Sequence, residues 1–275
     1  MQKTGFIIIL LLATLHGVAQ PDDVLMREQI DEYLTEARHG SAEAQYNLGQ
    51  CYLNGTGVTQ SYEDAAKWLE KAAGQGHVEA QYNLGVCYLK GQGVDQDYAE
   101  AVKWFSLAAD KGEADAMYNL ATSFMNGEGA AQDIGKAMRL YEQAAAKGHV
   151  QSQRVLGDCY FFGMGIPKDY QKAIEWYTLA AENGDADTQY ELGFMYYIGN
   201  GAEKCDEMAV FWFRKSAEQG NPFAQYLLAN CLENGQGTPQ DLDEAARWYE
   251  KAAAQGHEGA IERLKTSRPI LKQKQ

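Results

Sequence analysis

Apolar residues return along this chain in two alternating registers. Between Ser41 and Gly76, the residues Ala44, Leu48, Cys51 and Tyr52 recur at three- and four-residue spacing. That spacing predicts a helix with one apolar face. Ser41 suits its N-terminal cap. Gly55-Thr56-Gly57 stops it, because glycine adopts the left-handed conformation at little steric cost. A second stripe follows at Ala65, Trp68, Leu69, Ala72 and Ala73, and it predicts a helix from about Ser61 to Gln75. Gly76 ends that helix. The three alanines remove bulk where helices cross, and Trp68 and Tyr52 fill the gaps that remain.

The whole pattern repeats at a step of 36 residues, with no insertion or deletion. Leucine returns at Leu48, Leu84, Leu120, Leu156, Leu192, Leu228 and Leu264. Glycine returns at Gly76, Gly112, Gly148, Gly184, Gly220 and Gly256. The frames are 41–76, 77–112, 113–148, 149–184, 185–220 and 221–256. A period in this range predicts stacked helical hairpins rather than one closed core. A single hairpin cannot bury its stripe alone, so the ends need caps. Residues 20–40 supply a leading helix over Val24–Arg38. Residues 257–275 supply a closing helix over His257–Ser267 and a tail. The expected fold is all-α, with about fourteen helices and no strand.

The motif Ala44-Gln45-Tyr46-Asn47-Leu48-Gly49, then Tyr52, Gly55-x-Gly57-Val58, Ala65-x-Lys67-Trp68 and Ala72-Ala73-x-x-Gly76, resembles the Sel-1-like repeat (SLR), a relative of the tetratricopeptide repeat. The resemblance covers six units. It implies a right-handed α/α superhelical solenoid of six 36-residue hairpins with capping helices. It also implies an adaptor or scaffold with a concave binding surface, lined chiefly by the first helix of each repeat, and no shared catalytic residues. Two places depart from the pattern. Leu140 stands where Trp68, Trp104, Trp176, Trp212 and Trp248 recur, and Glu203-Lys204-Cys205-Asp206-Glu207 replaces the Pro167-Lys168-Asp169-Tyr170 type of helix start.

Charge and targeting narrow the partners. The net charge is −14, and an acidic surface repels phosphate backbones, so nucleic acid is not an expected partner. Lys3, the apolar stretch Phe6–Leu15 and the small residues Gly17-Val18-Ala19 have the layout of a signal peptide over residues 1–19. An uncleaved membrane anchor is the alternative. With cleavage, the expectation is an exported chain without a membrane span, periplasmic in a bacterium with two membranes and otherwise secreted. Export makes the five cysteines relevant. Cys51, Cys87, Cys159 and Cys231 share one repeat position. Equivalent helices lie about 8–10 Å apart, too far for a bridge that needs Cα atoms within roughly 7 Å. Cys205 occupies a different position, near the level of Cys231 in an antiparallel hairpin, so a Cys205–Cys231 disulfide is one open pairing.

Reactive chemistry is sparse. The Gly-x-Gly pairs follow helices and recur six times, which reads as turns and not as a dinucleotide loop. His77, His149 and His257 are whole repeats apart, so no metal site or other cofactor is expected. There is no Gly-x-Ser-x-Gly and no Ser-x-x-Lys, and no catalytic residue is assigned. The resemblance keeps a penicillin-binding or β-lactamase-like hydrolase as a remote alternative, through a cysteine-rich branch of the family.

Recognition is the sharper expectation. Variable positions of the first helices are mostly polar in repeats one to three, with Asn47, Asn83 and Asn119 one repeat apart. In repeats four and five they turn apolar and aromatic, with Val155, Phe161, Phe162, Phe194, Tyr197 and Ile198, and Arg154 stands where other repeats place tyrosine. Aromatic residues with an arginine are the composition of an interface hot spot. A protein or peptide partner on this surface is the leading expectation, with internal packing of some of these rings as the competing one. An envelope glycan or peptidoglycan fragment, held by the asparagine ladder, is the alternative ligand.

Overall fold

The computed structural model describes residues 21–271, with side chains over 27–266. The signal-peptide segment 1–19 lies outside the described residues. Fourteen helices and no strand are found among the described residues. Helix α1 is Pro21–Arg38. Then come α2 (Ala42–Asn54), α3 (Tyr62–Gly74), α4 (Val78–Lys90), α5 (Tyr98–Asp110), α6 (Ala114–Asn126) and α7 (Ile134–Ala146). They are followed by α8 (Val150–Phe162), α9 (Tyr170–Glu182), α10 (Ala186–Ile198), α11 (Asp206–Glu218), α12 (Pro222–Asn234), α13 (Leu242–Ala254) and α14 (Glu258–Leu271). The chain divides into two compact units, 1–133 and 134–275. Repeat three gives α6 to the first unit and α7 to the second.

Local chemistry sets the helix ends. The Ser41 side chain accepts from the Ala44 amide, and Asn221 accepts from Phe223 and Ala224 with Pro222 opening α12. These bonds satisfy amides that the first helical turn leaves orphaned. Gly76 sits at φ 89°. Its amide donates to the Ala73 carbonyl and the His77 amide to the Ala72 carbonyl, closing α3 in a Schellman turn. From repeat two on, the second glycine of the Gly-x-Gly has a separate cause. A Cβ on Gly93 would stand 1.9 Å from the Tyr62 carbonyl oxygen, so the loop lies directly on the first turn of the preceding repeat's second helix.

Within each unit, small residues let neighbouring helices touch. Leu48, Leu84, Leu156, Leu192 and Leu228 are buried, as are Ala65, Ala101, Ala137, Ala173, Ala209 and Ala245. Bulk is supplied by the second helices, through Leu69, Phe105, Tyr177 and Phe213. Opposite them stand Gly49, Gly85, Gly157 and Gly193. A Cβ on Gly157 would come within 2.4 Å of the Tyr177 ring. That close approach carries the second-helix ring up between two first helices.

Polar bonds fasten one repeat to the next. Gln45, Gln81, Gln153, Gln189 and Gln225 are buried, and their amides donate to the carbonyls of Ala37, Ala73, Ala145, Ala181 and Ala217 of the preceding element. Four of these glutamines also accept from a residue thirty positions later: Gln75, Asn183, Gln219 and Gln255. Repeat two lacks the second bond. Lys111 stands at the donor position and reaches the Gly76 carbonyl instead, and the Gln81 Oε1 atom has no partner. Repeat three replaces both members, with Met117 and Lys147.

The departure at Glu203–Glu207 leaves the register intact, since α11 has the same thirteen-residue length as its equivalents. Only the cap weakens. Cys205 occupies the cap position and makes no side-chain cap bond, whereas Asp169 and Asp241 do.

Candidate interaction surface

Positions 3, 6, 7, 10, 13 and 14 of each repeat fall on one side of the first helix, by the 100° advance per residue. On α8 these are Gln151, Arg154, Val155, Asp158, Phe161 and Phe162. On α10 they are Asp187, Tyr190, Glu191, Phe194, Tyr197 and Ile198, and on α12 they run from Phe223 to Asn234. None of the residues on α8 and α10 is buried. The core lies on the opposite side, at Leu156, Cys159, Leu192 and Met195. The helices stand side by side. Arg154 faces Asp187 at 3.6 Å, the Asn221 amide donates to Asp187 at 3.0 Å, and the Tyr190 and Phe223 rings lie 5.9 Å apart.

The six residues expected from sequence all lie on this face, with different degrees of exposure. Phe162, Ile198 and Phe194 are exposed, at 58%, 49% and 38%. Phe161 and Tyr197 are half-buried and lean on the core. Phe161 is edge-on to Phe162 and Tyr170, and the Tyr197 ring meets Phe213 at 6.0 Å. Arg154 is half-buried in its ion pair. Three side chains are therefore presented outward and three support them.

The floor of this face holds residues the sequence reading passed over. The Tyr177 hydroxyl donates to Asp158 Oδ1 at 2.7 Å and interacts with Glu191 of the next repeat. Burial pushes the Asp158 carboxyl pKa up, against opposite pulls from its Tyr177 hydrogen bond and from Arg154, while burial first and then the Asp158 carboxylate push that of Glu191 up, against a smaller pull from Arg154. The Tyr177 hydroxyl is pushed up by burial and by its bond to Asp158. The signal was present in the sequence. Asp158 stands where Gln50, Val86 and Thr122 recur, and Glu191 stands where Asn47, Asn83 and Asn119 recur.

The Cys205–Cys231 pairing is not formed. All five thiols are free. Cys231 is buried in the core of repeat six, while Cys205 caps α11 and its Sγ lies 3.6 Å from Glu207 Oε2. The cap position directs the Cys205 thiol to its own helix start, away from that core. Burial pushes the thiols of Cys87, Cys159 and Cys231 up to about 11. Of the asparagine ladder, Asn119 spends its amide on the Asp115 carbonyl. Among the described residues, no group of three or more His, Cys, Asp or Glu converges to hold a metal ion, and no helix is long and apolar enough to cross a membrane.

Stacked helical hairpins, tied by buried glutamines and presenting one face of each first helix, define a helical-repeat protein. The Sel1 repeat family model matches residues 42–77, 78–113, 114–149, 150–185, 186–221 and 222–257, and the chain belongs to that family. It is similar to c5321, a protective antigen of uropathogenic Escherichia coli strains with an SLR fold. The two are 37% identical with a TM-score of 0.82, over 86% of this chain and 51% of that one. This chain thus spans about half the length of the antigen. It is also similar to a Sel1 repeat protein from Oxalobacter formigenes, at 31% identity and a TM-score of 0.69, over 82% of this chain and 91% of that one. No curated protein matches the chain.

Proposed function

We propose that the chain is an exported, non-catalytic scaffold that captures a protein or peptide partner on the first-helix face of repeats four and five. One observation carries this reading: Phe162 on α8 and Phe194 and Ile198 on α10 are exposed on the same side of their first helices, beside half-buried polar groups rather than an even polar coat. Exposed aromatic clusters with a polar rim favour recognition. The hairpins hold these rings in place before binding, which reduces the ordering cost of association. Export belongs to the same proposal and rests on residues 1–19. The intact mass of the protein from its native host tests it, since cleavage removes that segment.

A photo-cross-linking residue placed at Phe194 tests the surface. A matched probe goes at Glu175, an exposed position of the second helix in repeat four. In the native host, position 194 should yield a defined protein adduct that position 175 does not. The same adducts from both positions, or none from 194, would remove the reading.

A further inference from the structure

Repeat six shows what the tyrosine floor takes when it carries a carboxylate. There the Tyr249 hydroxyl meets Asn230 Oδ1 at 2.5 Å and Glu233 Oε2 at 2.9 Å. Arg263, from the closing helix α14, clamps Glu233 through Nε at 2.9 Å and through Nη2. The carboxylate is neutralised by a guanidinium, and its pKa is lowered chiefly by that hydrogen bond. In repeat four the tyrosine recurs on a different set of partners, with Phe161 where Glu233 stands. Tyr177 takes the place of Tyr249 and Asp158 that of Asn230. The position that Arg263 holds is held by Glu191. One hydroxyl proton serves two carboxyl groups, and Asp158 receives it. Arg154, the nearby cation, acts on both carboxyl groups through space but makes its ion pair with a third acid, Asp187, at 3.6 Å.

The site therefore has an acidic floor without its own clamp, bordered by exposed rings. We propose that this face selects an extended segment in which a lysine or arginine is flanked by apolar side chains. The cation sits over Asp158 and Glu191, on the outer side of the Tyr177 hydroxyl that joins them, and the apolar neighbours rest on Phe162, Phe194 and Ile198. This deepens the proposed function and rests on it. Three features favour an organic cation on a chain. The described residues offer no group of three ligands for a metal ion. The stems of lysine and arginine are apolar and lie well along aromatic rings, while their charged ends reach polar groups. The chain's net charge of −14 draws basic segments towards it. Burial has raised both carboxyl pKa values, so a cation brought there regains interaction that the free protein lacks.

Selection of random dodecapeptides displayed on phage, against the full chain, tests the inference. The enriched peptides should carry a lysine or arginine next to apolar residues. A synthetic peptide of that consensus should bind the wild-type chain and lose about tenfold or more on the Asp158→Asn/Glu191→Gln double variant. It should lose a similar factor on Phe194→Ser. The double variant is built to fold: Asn230 already accepts from Tyr249, and Asn47, Asn83 and Asn119 already hold the position of Glu191. Peptides without a cation, or equal binding by the double variant, overturn the inference. If Phe194→Ser still abolishes such binding, the surface reading survives alone. If nothing is enriched, or neither variant weakens binding, both fall.

Discussion

Replacing Lys111 by glutamine should make the protein more stable. In repeat two, Gln81 is 4% exposed and its Oε1 has no partner. Lys111 reaches past it to the Gly76 carbonyl at 2.6 Å. In repeat six the equivalent Gln255 makes both bonds with one amide, to the Gly220 carbonyl at 2.8 Å and to Gln225 Oε1 at 2.9 Å. Lys111→Gln should reproduce that pair, keeping the old bond and adding one to a buried acceptor. A typical hydrogen bond contributes about 0.5–1.5 kcal/mol net. The exposed lysine has little surface charge energy to lose. The expected gain is about 1 kcal/mol, or roughly 2–4 °C in Tm for a chain of this size. Urea titration followed by far-UV circular dichroism reads it as a shift of midpoint. The converse change, Gln255→Lys, should orphan Gln225 Oε1 and lose a similar amount. If Lys111→Gln leaves the midpoint unchanged or lower while Gln255→Lys is harmless, the paired-glutamine account is wrong.

Gly157→Ala places a Cβ 2.4 Å from a fully buried tyrosine ring, and overpacking of that kind costs about 1–3 kcal/mol, measurable by the same titration. The folded state holds the Asp158 and Glu191 protons more tightly than the unfolded chain does. Their contribution to stability is therefore full below the ordinary carboxyl values of 3.8 and 4.5, and it is lost as pH rises through the raised folded values. Asp158→Asn should accordingly raise the urea midpoint at pH 7 and leave it nearly unchanged at pH 3; an equal shift at both would refute the burial argument. Timed alkylation with iodoacetamide and mass spectrometry should label Cys205 well before Cys87, Cys159 and Cys231, which are buried with thiol pKa values of about 11.

The helices were readable because each carries its own local grammar. Ser41 and Asn221 start helices, Gly55 and Gly76 stop them, and the apolar stripe between needs no knowledge of distant residues. The cross-repeat bonds were not readable in that way. Gln45 looks like a solvated side chain in a helical wheel, yet it is 5% exposed because a carbonyl of the preceding helix meets it. The aromatic face was visible in composition, but its partition into presented and supporting rings was not. Phe161 and Phe162 are adjacent in sequence and differ in role, because one leans onto the core beside Tyr177 and the other points outward. The acidic floor escaped notice for a related reason: Asp158 and Glu191 lie thirty-three residues apart and meet only through a tyrosine that rises from a second helix.

The pairing of Gln45 with Gln75, and of Gln225 with Gln255, places both partners inside one repeat unit. Gene duplication or excision at unit borders would copy or delete such pairs whole. A recombination break within a unit would instead join a glutamine acceptor to a foreign lysine, or strand Met117 opposite a donor. Lineages of this array should therefore grow and shrink by complete modules, with repeat three inherited as a block of its own.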